Sequence, residues 1–245
     1  MKKEGISMGM PVTLQVIDPH VREKDFDEAF QYFDAIDKRF SPYKKNSELS
    51  RINDGTIAPE QYSKEMQKIL ALCEQTHQET NGYFDIRLNG TLDTSGLVKG
   101  YAIWQAAEQL LNKGFMNMYI EIGGDIQVYG TDEHRNPWAI GIRNPFQKDE
   151  IIKVVHLTNA GIATSGTSEQ GTHIYDPIHK KDADEIASIT VIADTIYDAD
   201  RFATAAFAMG ESGISWINSK QRYEGYAVGK DKKAYYTNGF SRYVH

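Results

Sequence analysis

Asp200 and Thr204 stand four residues apart in YDADRFATAAFAMG, residues 197–210, a segment with helical spacing of its apolar residues. Side chains four apart on a helix project from one face, about one turn from each other. A carboxylate and a hydroxyl placed in this way are oxygen ligands suited to Mg²⁺, which typically keeps water molecules and recruits phosphate oxygens. The alternative is structural, because an acidic residue near a helix N-terminus complements the helix dipole and a threonine hydroxyl can bond back to its own helix.

A second candidate site is the turn and helix start in DTSGLVKGYAIWQAAEQLL, residues 93–111. A glycine-containing turn that opens a helix presents unpaired backbone N–H groups and the positive end of the helix dipole to an anion. Lys99 adds a full positive charge beside Gly100, so a phosphate fits this chemistry. The segment lacks the Lys-Ser or Lys-Thr pair of a P-loop, and the chain lacks a GxGxxG fingerprint. An ordinary helix start is the alternative.

Two further segments place ionisable side chains after predicted strands. In IEIGGDI, Asp125 follows two glycines and could bind a hydroxyl or a metal, although a tight hairpin turn explains the same letters. In residues 161–181, His173 and Asp176 stand three apart, and a histidine beside a carboxylate can act as a general base. A solvated loop is the alternative there. The strand before them ends in hydrogen-bond donors, namely Thr164, Ser165 and Gly166.

The periodicity of the chain predicts an α+β protein that carries these segments. Apolar residues recur three and four apart in stretches that predict helices over 26–40, 64–80 (with Ser63 as N-cap), 99–113, 198–209 and 213–219. Short β-branched or alternating stretches between turn residues predict a largely antiparallel sheet. Its strands are expected over 11–18, 118–122, 126–129, 138–142, 151–157, 160–164, 186–193, 225–229 and 233–237. The composition of residues 41–62 predicts an irregular surface loop.

Composition narrows the class of protein further. The chain has 245 residues, of which 40% are hydrophobic and 25% charged, as in ordinary globular proteins. It shows no internal repeat, low-complexity tract or linker, so we expect one α+β domain over residues 1–245, with a two-lobed arrangement as a variant. The net charge of -7 argues against duplex nucleic acid as the main partner, because the basic surface that neutralises phosphates is lacking.

The N-terminus and the cysteine content bear on the compartment. No apolar run approaches the roughly 18–20 residues of a membrane span. The first residues have the lysines of a signal peptide without its apolar middle or cleavage site, so we expect a cytoplasmic chain. An exported or lipid-anchored precursor trimmed of its signal is the alternative. The single cysteine, Cys73, lies on the apolar stripe of a predicted helix and is expected to be a buried hydrophobe rather than a nucleophile.

Taken in order, eight segments of the chain resemble the flavin transferases of the ApbE type, the FAD:protein FMN transferases. The segments are MGMPVTLQV (8–16), FSPYKKNSELSRIN (40–53), NGYFDI (81–86), SGLVKGYAI (95–103), IGGDI (122–126), IATSG (162–166), HIYDP (173–177) and ADRFATAAFAMG (199–210). Each is short, but eight in register over most of the chain argue against a chance match. Between NGYFDI and DTSGLVKG the family usually carries a longer insert than residues 87–92 provide.

The resemblance implies an ApbE-like fold and an Mg²⁺-dependent reaction. The implied enzyme cleaves the pyrophosphate of FAD, releases AMP and links FMN through its phosphate to a threonine hydroxyl of an acceptor protein. Phosphoryl transfer of this kind depends on positioning and on electrostatic stabilisation, which a cation, a lysine and backbone donors supply. Two alternative hypotheses are compatible with the same site. One is an FAD pyrophosphatase that gives FMN and AMP, and the other is a non-catalytic FAD-binding protein.

Matched motif by motif, the resemblance also implies roles for individual residues. The implied metal ligands are the Val98 carbonyl, Asp200 and Thr204. Lys99 and the amides around Gly100 are implied to hold flavin phosphate. The residues implied to line the flavin pocket are Met10, Tyr43, Ser47, Glu48, Asp125, Thr164, Ser165 and Gly166. Tyr43 is the candidate for stacking on a flat ring. His173 is implied as the base that deprotonates the acceptor threonine, with Asp176 orienting it or the substrate.

Overall fold

An eight-stranded antiparallel sheet organises the chain in the computed structural model, which describes residues 1–88, 90–167 and 174–244, without the Lys148 side chain. Its α-helices are α1 (Glu23–Phe40), α2 (Glu48–Asn53), α3 (Lys64–Glu79), α4 (Ser95–Asn112), α5 (Ile196–Ala208) and α6 (Ser212–Asn218). Its strands are β1 (Lys2–Ser7), β2 (Met10–Val16), β3 (Arg87–Leu88), β4 (Thr91–Leu92), β5 (Met118–Ile122), β6 (Asp125–Tyr129), β7 (Trp138–Asn144), β8 (Gln147–Leu157), β9 (Ala160–Gly166), β10 (Tyr175–Asp176), β11 (Lys181–Asp182), β12 (Ile186–Ala193), β13 (Glu224–Gly229) and β14 (Ala234–Tyr236). Short 3₁₀ turns cover Pro59–Gln61 and Phe240–Tyr243.

The large sheet has the strand order β1-β2-β5-β6-β9-β12-β13-β14, with antiparallel neighbours. Two of its hairpins close through two-residue turns with positive φ, at Met8 (51°) and Gly9 (73°) and at Gly123 (58°) and Gly124 (92°). Positive φ at both central residues is typical of the type I′ turn, whose twist matches that of the flanking strands. The glycine pair of IGGDI is therefore a hairpin turn, and it places Asp125 at the first position of β6.

Helices pack against one face of this sheet and build the main core. Buried apolar side chains of α1, α3, α4 and α5 join those of β2 and β5 in one cluster, which includes Phe26, Phe33, Met66, Leu97, Phe202, Leu14 and Ile120. Cys73 of α3 belongs to it, and burial raises the pKa of its thiol to about 12, so the predicted structural role of this cysteine agrees with its surroundings. None of the helices in the described residues has both the length and the hydropathy of a membrane span.

A hairpin covers the opposite face of the sheet. Strands β7 and β8 pair with each other and bury Trp138, Ile140 and Val155 against side chains of β6, β9, β12 and β13. Strand β12 is buried at every position because it is covered from both sides. This double coverage explains why its sequence, IASITVIA, is a nearly continuous apolar run rather than an alternating one.

The predicted fold class is confirmed, and the differences from the predicted elements are local. Strand β1 was not predicted, because its sequence KKEGIS is charged and the strand is an exposed sheet edge. The expected irregular loop over 41–62 contains helix α2, capped by the Ser47 side chain, and a 3₁₀ turn. Helix α4 begins at Ser95 rather than at Lys99, so Gly100 lies inside the helix. Its N–H donates to Asp200 and is not the unpaired phosphate donor that the prediction required.

Candidate active site

A cavity of about 270 Å³ lies where the first turns of α4 meet α5 and the end of β9. Segments far apart in the sequence contribute to its wall. The predicted site residues on this wall are Met10, Tyr43, Val98, Lys99, Thr164, Ser165, Gly166, Asp200 and Thr204. Tyr43 is 83% exposed and therefore lies at the rim, whereas Asp200 is 5% exposed and lies at depth. The fold brings the candidate metal pair, the candidate phosphate lysine and the donors at the strand tip into one site.

Helix α5 is held on the sheet by its first turn. Thr195 is its N-cap, and the threonine hydroxyl accepts a hydrogen bond from the first helical turn at 3.2 Å. The buried Gln127 side-chain oxygen accepts the Ile196 N–H at 2.7 Å. Gly161 of β9 permits this approach, because a side-chain carbon there would overlap the Ile196 backbone. These contacts fix the position of α5 over the sheet and thereby orient its cavity-facing residues.

Two glycines of α4 allow α5 to approach closely at the cavity. A side-chain carbon at Gly100 would lie 2.6 Å from Asp200 Cβ, and one at Gly96 would lie 3.1 Å from Thr204 Cγ2. The Gly100 N–H donates to Asp200 Oδ2 at 2.7 Å, and the Thr204 hydroxyl donates to the Gly96 carbonyl at 3.4 Å. The same four-residue spacing on both helices therefore sets the Asp200 carboxyl group and the Thr204 hydroxyl group against the first turns of α4.

Two carboxyl groups and one ammonium group meet beside this helix contact. Lys99 Nζ lies 2.9 Å from Asp125 Oδ2, and Asp125 Oδ1 accepts the Thr164 N–H at 3.3 Å. Burial, followed by the negative charge of Asp125, raises the pKa of Asp200 well above its usual range, and the Lys99 charge and the Gly100 N–H oppose this shift. Neighbouring buried carboxyl groups are stabilised by a shared proton or by a cation. The arrangement therefore suits a hard divalent cation.

Replacing Gly100 by alanine is expected to destabilise the protein through the α4–α5 contact. An alanine inside a helix normally stabilises it by about 1 kcal/mol relative to glycine. Here the new methyl group would lie 2.7 Å from the Ile196 carbonyl oxygen as well as against Asp200, and overpacking of this kind costs about 1–3 kcal/mol. The free energy of unfolding, measured by urea denaturation, should therefore fall.

Gly96→Ala is the matched control for that variant. The nearest atoms to its new methyl group are the side-chain ends of Thr204 and Phe84, at 3.1 and 3.3 Å, which can shift by a few tenths of an ångström. It should therefore lose less stability than Gly100→Ala. If the two variants unfolded at the same urea concentration, close packing of α5 on Gly100 would not be the determining contact.

Asp176 lies next to the cavity wall and makes its hydrogen bonds within its own turn. Its carboxylate accepts the backbone N–H groups of Ile178 and His179, at 2.9 and 3.0 Å, and is bonded to His179 Nδ1 at 2.6 Å. Burial opposes ionisation, but the hydrogen bonds from His179 and Ile178 outweigh it and lower the pKa of Asp176. Its predicted partner His173 lies outside the described residues.

The structure does not bring Ser47 and Glu48 to the cavity wall. The Ser47 hydroxyl accepts the Ser50 N–H at 3.0 Å and caps α2. The Glu48 carboxylate accepts the Ser63 N–H and hydroxyl at 2.6 and 2.7 Å and pairs with Arg39 Nε at 3.3 Å. These contacts connect α2 to the N-terminus of α3 and to α1. Both residues therefore support the neighbourhood of Tyr43 rather than contacting the cavity.

Several charged residues of the cavity wall were not singled out from the sequence. They are Asp37, Asp85, Arg87 and Asp93. Arg87 opens the short β3–β4 hairpin, where its guanidinium lies 3.6 Å from Asp85 and 3.5 Å from Glu74. Asp85 belongs to NGYFDI, one of the eight ordered segments, so the resemblance could have identified it as a site residue. Arg87 lies in the short segment after NGYFDI, which matches none of the eight, so no motif indicated it.

The sequence is similar to a family model and to known proteins. The sequence model of the ApbE family matches residues 8–91 and 87–227. The chain is 26% identical to an FAD:protein FMN transferase of Haemophilus influenzae, over 90% of this chain and 83% of that protein. It is 25% identical to a protein of the same name from Chlamydia muridarum, over 89% of this chain and 87% of that protein.

Solved structures of the family share the fold. The flavin transferase ApbE from Vibrio cholerae superposes with a TM-score of 0.86 at 22% identity, and the ApbE protein of Thermotoga maritima does so with a TM-score of 0.86 at 20% identity. Each match covers 100% of this chain and 99% of the other. The resemblance seen in the eight ordered segments is thus confirmed by the family match along most of the sequence, and this chain belongs to the ApbE family.

Proposed function

We propose that this protein is an Mg²⁺-dependent FAD:protein FMN transferase. It would cleave the FAD pyrophosphate, attach FMN through a phosphoester bond to a threonine of an acceptor protein and release AMP. The observation that carries this proposal is the convergence of Lys99, Asp200 and Thr204 on one cavity in a chain of the ApbE family. The test is the intact mass of an acceptor protein incubated with the enzyme, FAD and Mg²⁺, which should rise by the mass of FMN less water.

The residues present fit a magnesium ion. The proposed ligands are the Asp200 carboxylate, the Thr204 hydroxyl and the Val98 carbonyl, which are hard oxygen donors on the cavity wall. Among the described residues no group of three or more His, Cys, Asp or Glu side chains forms a metal cluster. Two side chains and one backbone carbonyl would leave positions for water and substrate phosphate, which Mg²⁺ typically keeps in its shell. When bound, Mg²⁺ would neutralise negative charge that develops on the phosphates.

The chain's own groups would position the flavin nucleotide. The Lys99 ammonium group, held by Asp125 at 2.9 Å, would bind a pyrophosphate oxygen on the cavity side. Thr164 and Ser165 offer hydroxyl groups at the end of β9, and the Thr164 hydroxyl is already bonded to Thr190 at 2.8 Å. Tyr43 at the rim would stack on the isoalloxazine or the adenine ring. These contacts orient the substrate before bond cleavage, which is the main catalytic contribution in phosphoryl transfer.

The transfer step requires a base for the acceptor hydroxyl, and we assign this role to His173 from its place in HIYDP. His173 would accept the proton of the threonine hydroxyl while the threonine oxygen forms a bond to the phosphorus of the FMN moiety. The bond from that phosphorus to the bridging oxygen breaks, and AMP leaves with that oxygen and its electron pair. The ionised Asp176 would orient the histidine or the incoming chain.

Replacing His173 by alanine should slow FMN transfer by roughly a hundredfold or more, because a positioned base contributes about 10²–10⁴ to such a step. FAD binding, followed by flavin fluorescence, should stay close to that of the wild type. The matched control is His134→Ala, which removes an exposed imidazole away from the cavity wall and should keep the wild-type rate. A His173→Ala enzyme that flavinylates its acceptor at the wild-type rate would remove His173 from the mechanism.

A further inference from the structure

A shallow groove of about 410 Å³ adjoins the cavity at the C-terminal end of α3. Asp85 and Pro177 line both the groove and the cavity, so the two are adjacent. One side of the groove is formed by the last turn of α3 and the residues that close it, His77, Gln78, Asn81 and Gly82. The other side is the turn at Pro177 and Ile178, which follows the cavity residue Tyr175. We refer to this surface as the α3 groove.

The chemistry of the α3 groove suits an extended polypeptide segment. Ile178 presents an apolar side chain that is 48% exposed. Asn81 is exposed, and its side-chain amide makes no hydrogen bond to any described residue, so it can both donate to and accept from a peptide backbone. Gly82 has a φ of +86°, and a side-chain carbon there would lie 3.2 Å from Ile178 Cδ1, so the glycine lets the Ile178 side chain lie over the end of α3.

Asp85 is the single carboxylate on the described wall of the α3 groove, and the Arg87 guanidinium lies 3.6 Å from it. The remaining wall is uncharged amide, backbone and aliphatic surface, together with the His77 ring, whose Nδ1 is bonded to the Phe84 carbonyl at 2.9 Å. A strongly charged ligand would therefore find little complementarity in this groove. An uncharged segment with free backbone groups and an apolar side chain over Ile178 would fit it.

We infer that the α3 groove binds the acceptor protein, through an extended and uncharged segment beside its target hydroxyl residue. This inference rests on the proposed function, because an acceptor protein must lie beside the flavin cavity to bring its hydroxyl group to the bound nucleotide, and the α3 groove adjoins that cavity. A chain lying in the groove passes Asp85 and Pro177, and a residue at that junction can extend its side chain into the cavity. The groove thus sets which segment of the acceptor is presented for transfer, while the cavity binds the flavin nucleotide.

The test compares Ile178→Asp and Asn81→Gly with wild-type enzyme. Ile178→Asp puts a charge on the apolar wall. Asn81→Gly removes the side-chain amide, and glycine adopts the φ of +53° found at Asn81 without strain. Both should raise the KM for the acceptor protein, Ile178→Asp by about tenfold or more, with the FAD dissociation constant unchanged. Ile151→Asp on β8 is the matched control, because Ile151 is 47% exposed and lies outside the cavity and the groove, and its kinetics should remain those of the wild type.

The outcomes of this experiment distinguish a failure of the groove assignment from a failure of the transferase proposal. Wild-type transfer with an unaltered acceptor KM in both groove variants would overturn the groove assignment and leave the transferase proposal intact. Weakened FAD binding in Ile178→Asp would also overturn it, because the groove would then belong to the flavin site. Wild-type enzyme that releases AMP and FMN without labelling an acceptor would remove both proposals together.

Discussion

Replacing Asp200 by asparagine is expected to lower Mg²⁺-dependent FAD cleavage by about a thousandfold or more. A bound metal ion contributes several kcal/mol of transition-state stabilisation, and each 1.4 kcal/mol corresponds to about a factor of ten in rate. The amide is a poorer ligand than a carboxylate but has the same shape, and its oxygen can still accept the Gly100 N–H that Asp200 accepts at 2.7 Å. The measurement is the rate of AMP release as a function of Mg²⁺ concentration.

Thermal unfolding separates metal loss from damage to the fold in this variant. Without Mg²⁺, Asp200→Asn should unfold no earlier than the wild type, because it removes a buried carboxyl group that lies beside Asp125. With Mg²⁺, the wild type should gain stability and the variant should not. Asp198→Asn is the matched control, since Asp198 is on the same helix but pairs with Arg201 at 2.7 Å. An Asp200→Asn enzyme that retains Mg²⁺-dependent turnover would contradict the proposed metal site.

Replacing Lys99 by methionine should lower the rate of FAD cleavage by about a hundredfold to a thousandfold. That is the usual cost of removing one preorganised electrostatic donor from a transition state. Lys99 is well placed for such a role, because it lies on the cavity wall and its side chain is only 19% exposed. The ion pair with Asp125 fixes the position of its ammonium group. AMP release at saturating Mg²⁺ is the measurement, and cleavage at the wild-type rate would remove Lys99 from phosphate binding.

The Lys99→Met variant should also be less stable, because it leaves Asp125 buried at 2% exposure without its cation. The double variant Lys99→Met/Asp125→Asn removes that unpaired charge and should recover much of the lost stability. It should not recover the rate, since the positive charge is still missing. If activity returned together with stability, the effect of Lys99 would be structural and not electrostatic.

Much of the sheet is predictable from sequence because its strands are β-branched stretches bounded by Gly, Asn and Asp. The observed bounds of β12, Ile186–Ala193, coincide with the prediction, since covering both faces made its apolar run continuous. Strand β1 is different. It pairs on one side alone and exposes Ile6, so selection for burial left little pattern in its sequence. Helix α2 has six residues and one buried side chain, Leu49, which is too short for periodicity to show.

Helix α4 and the site illustrate what sequence periodicity misses. The α4 turn around Gly96 and Gly100 has poor intrinsic helix propensity, and the close contact with α5 stabilises it instead. The Gly100–Asp200 hydrogen bond joins residues that are 100 apart in the chain, so no local pattern announces it. The ordered motifs, by contrast, anticipated that these segments act together. They also implied that Glu48 lines the flavin pocket, whereas its carboxylate is bonded to Ser63 and lies outside the cavity wall.

The intact mass of an acceptor protein is the most direct test of FMN transfer. The purified chain is incubated with FAD, Mg²⁺ and a small protein domain that carries an acceptor threonine, with parallel samples containing a chelator or the Asp200→Asn variant. We expect a gain equal to the mass of FMN less water, absent from both parallel samples and lost when the target threonine is replaced by alanine. An unchanged acceptor mass, with AMP and free FMN accumulating in solution, would contradict the transferase and identify a pyrophosphatase. An unchanged mass with intact FAD would instead identify a flavin-binding protein.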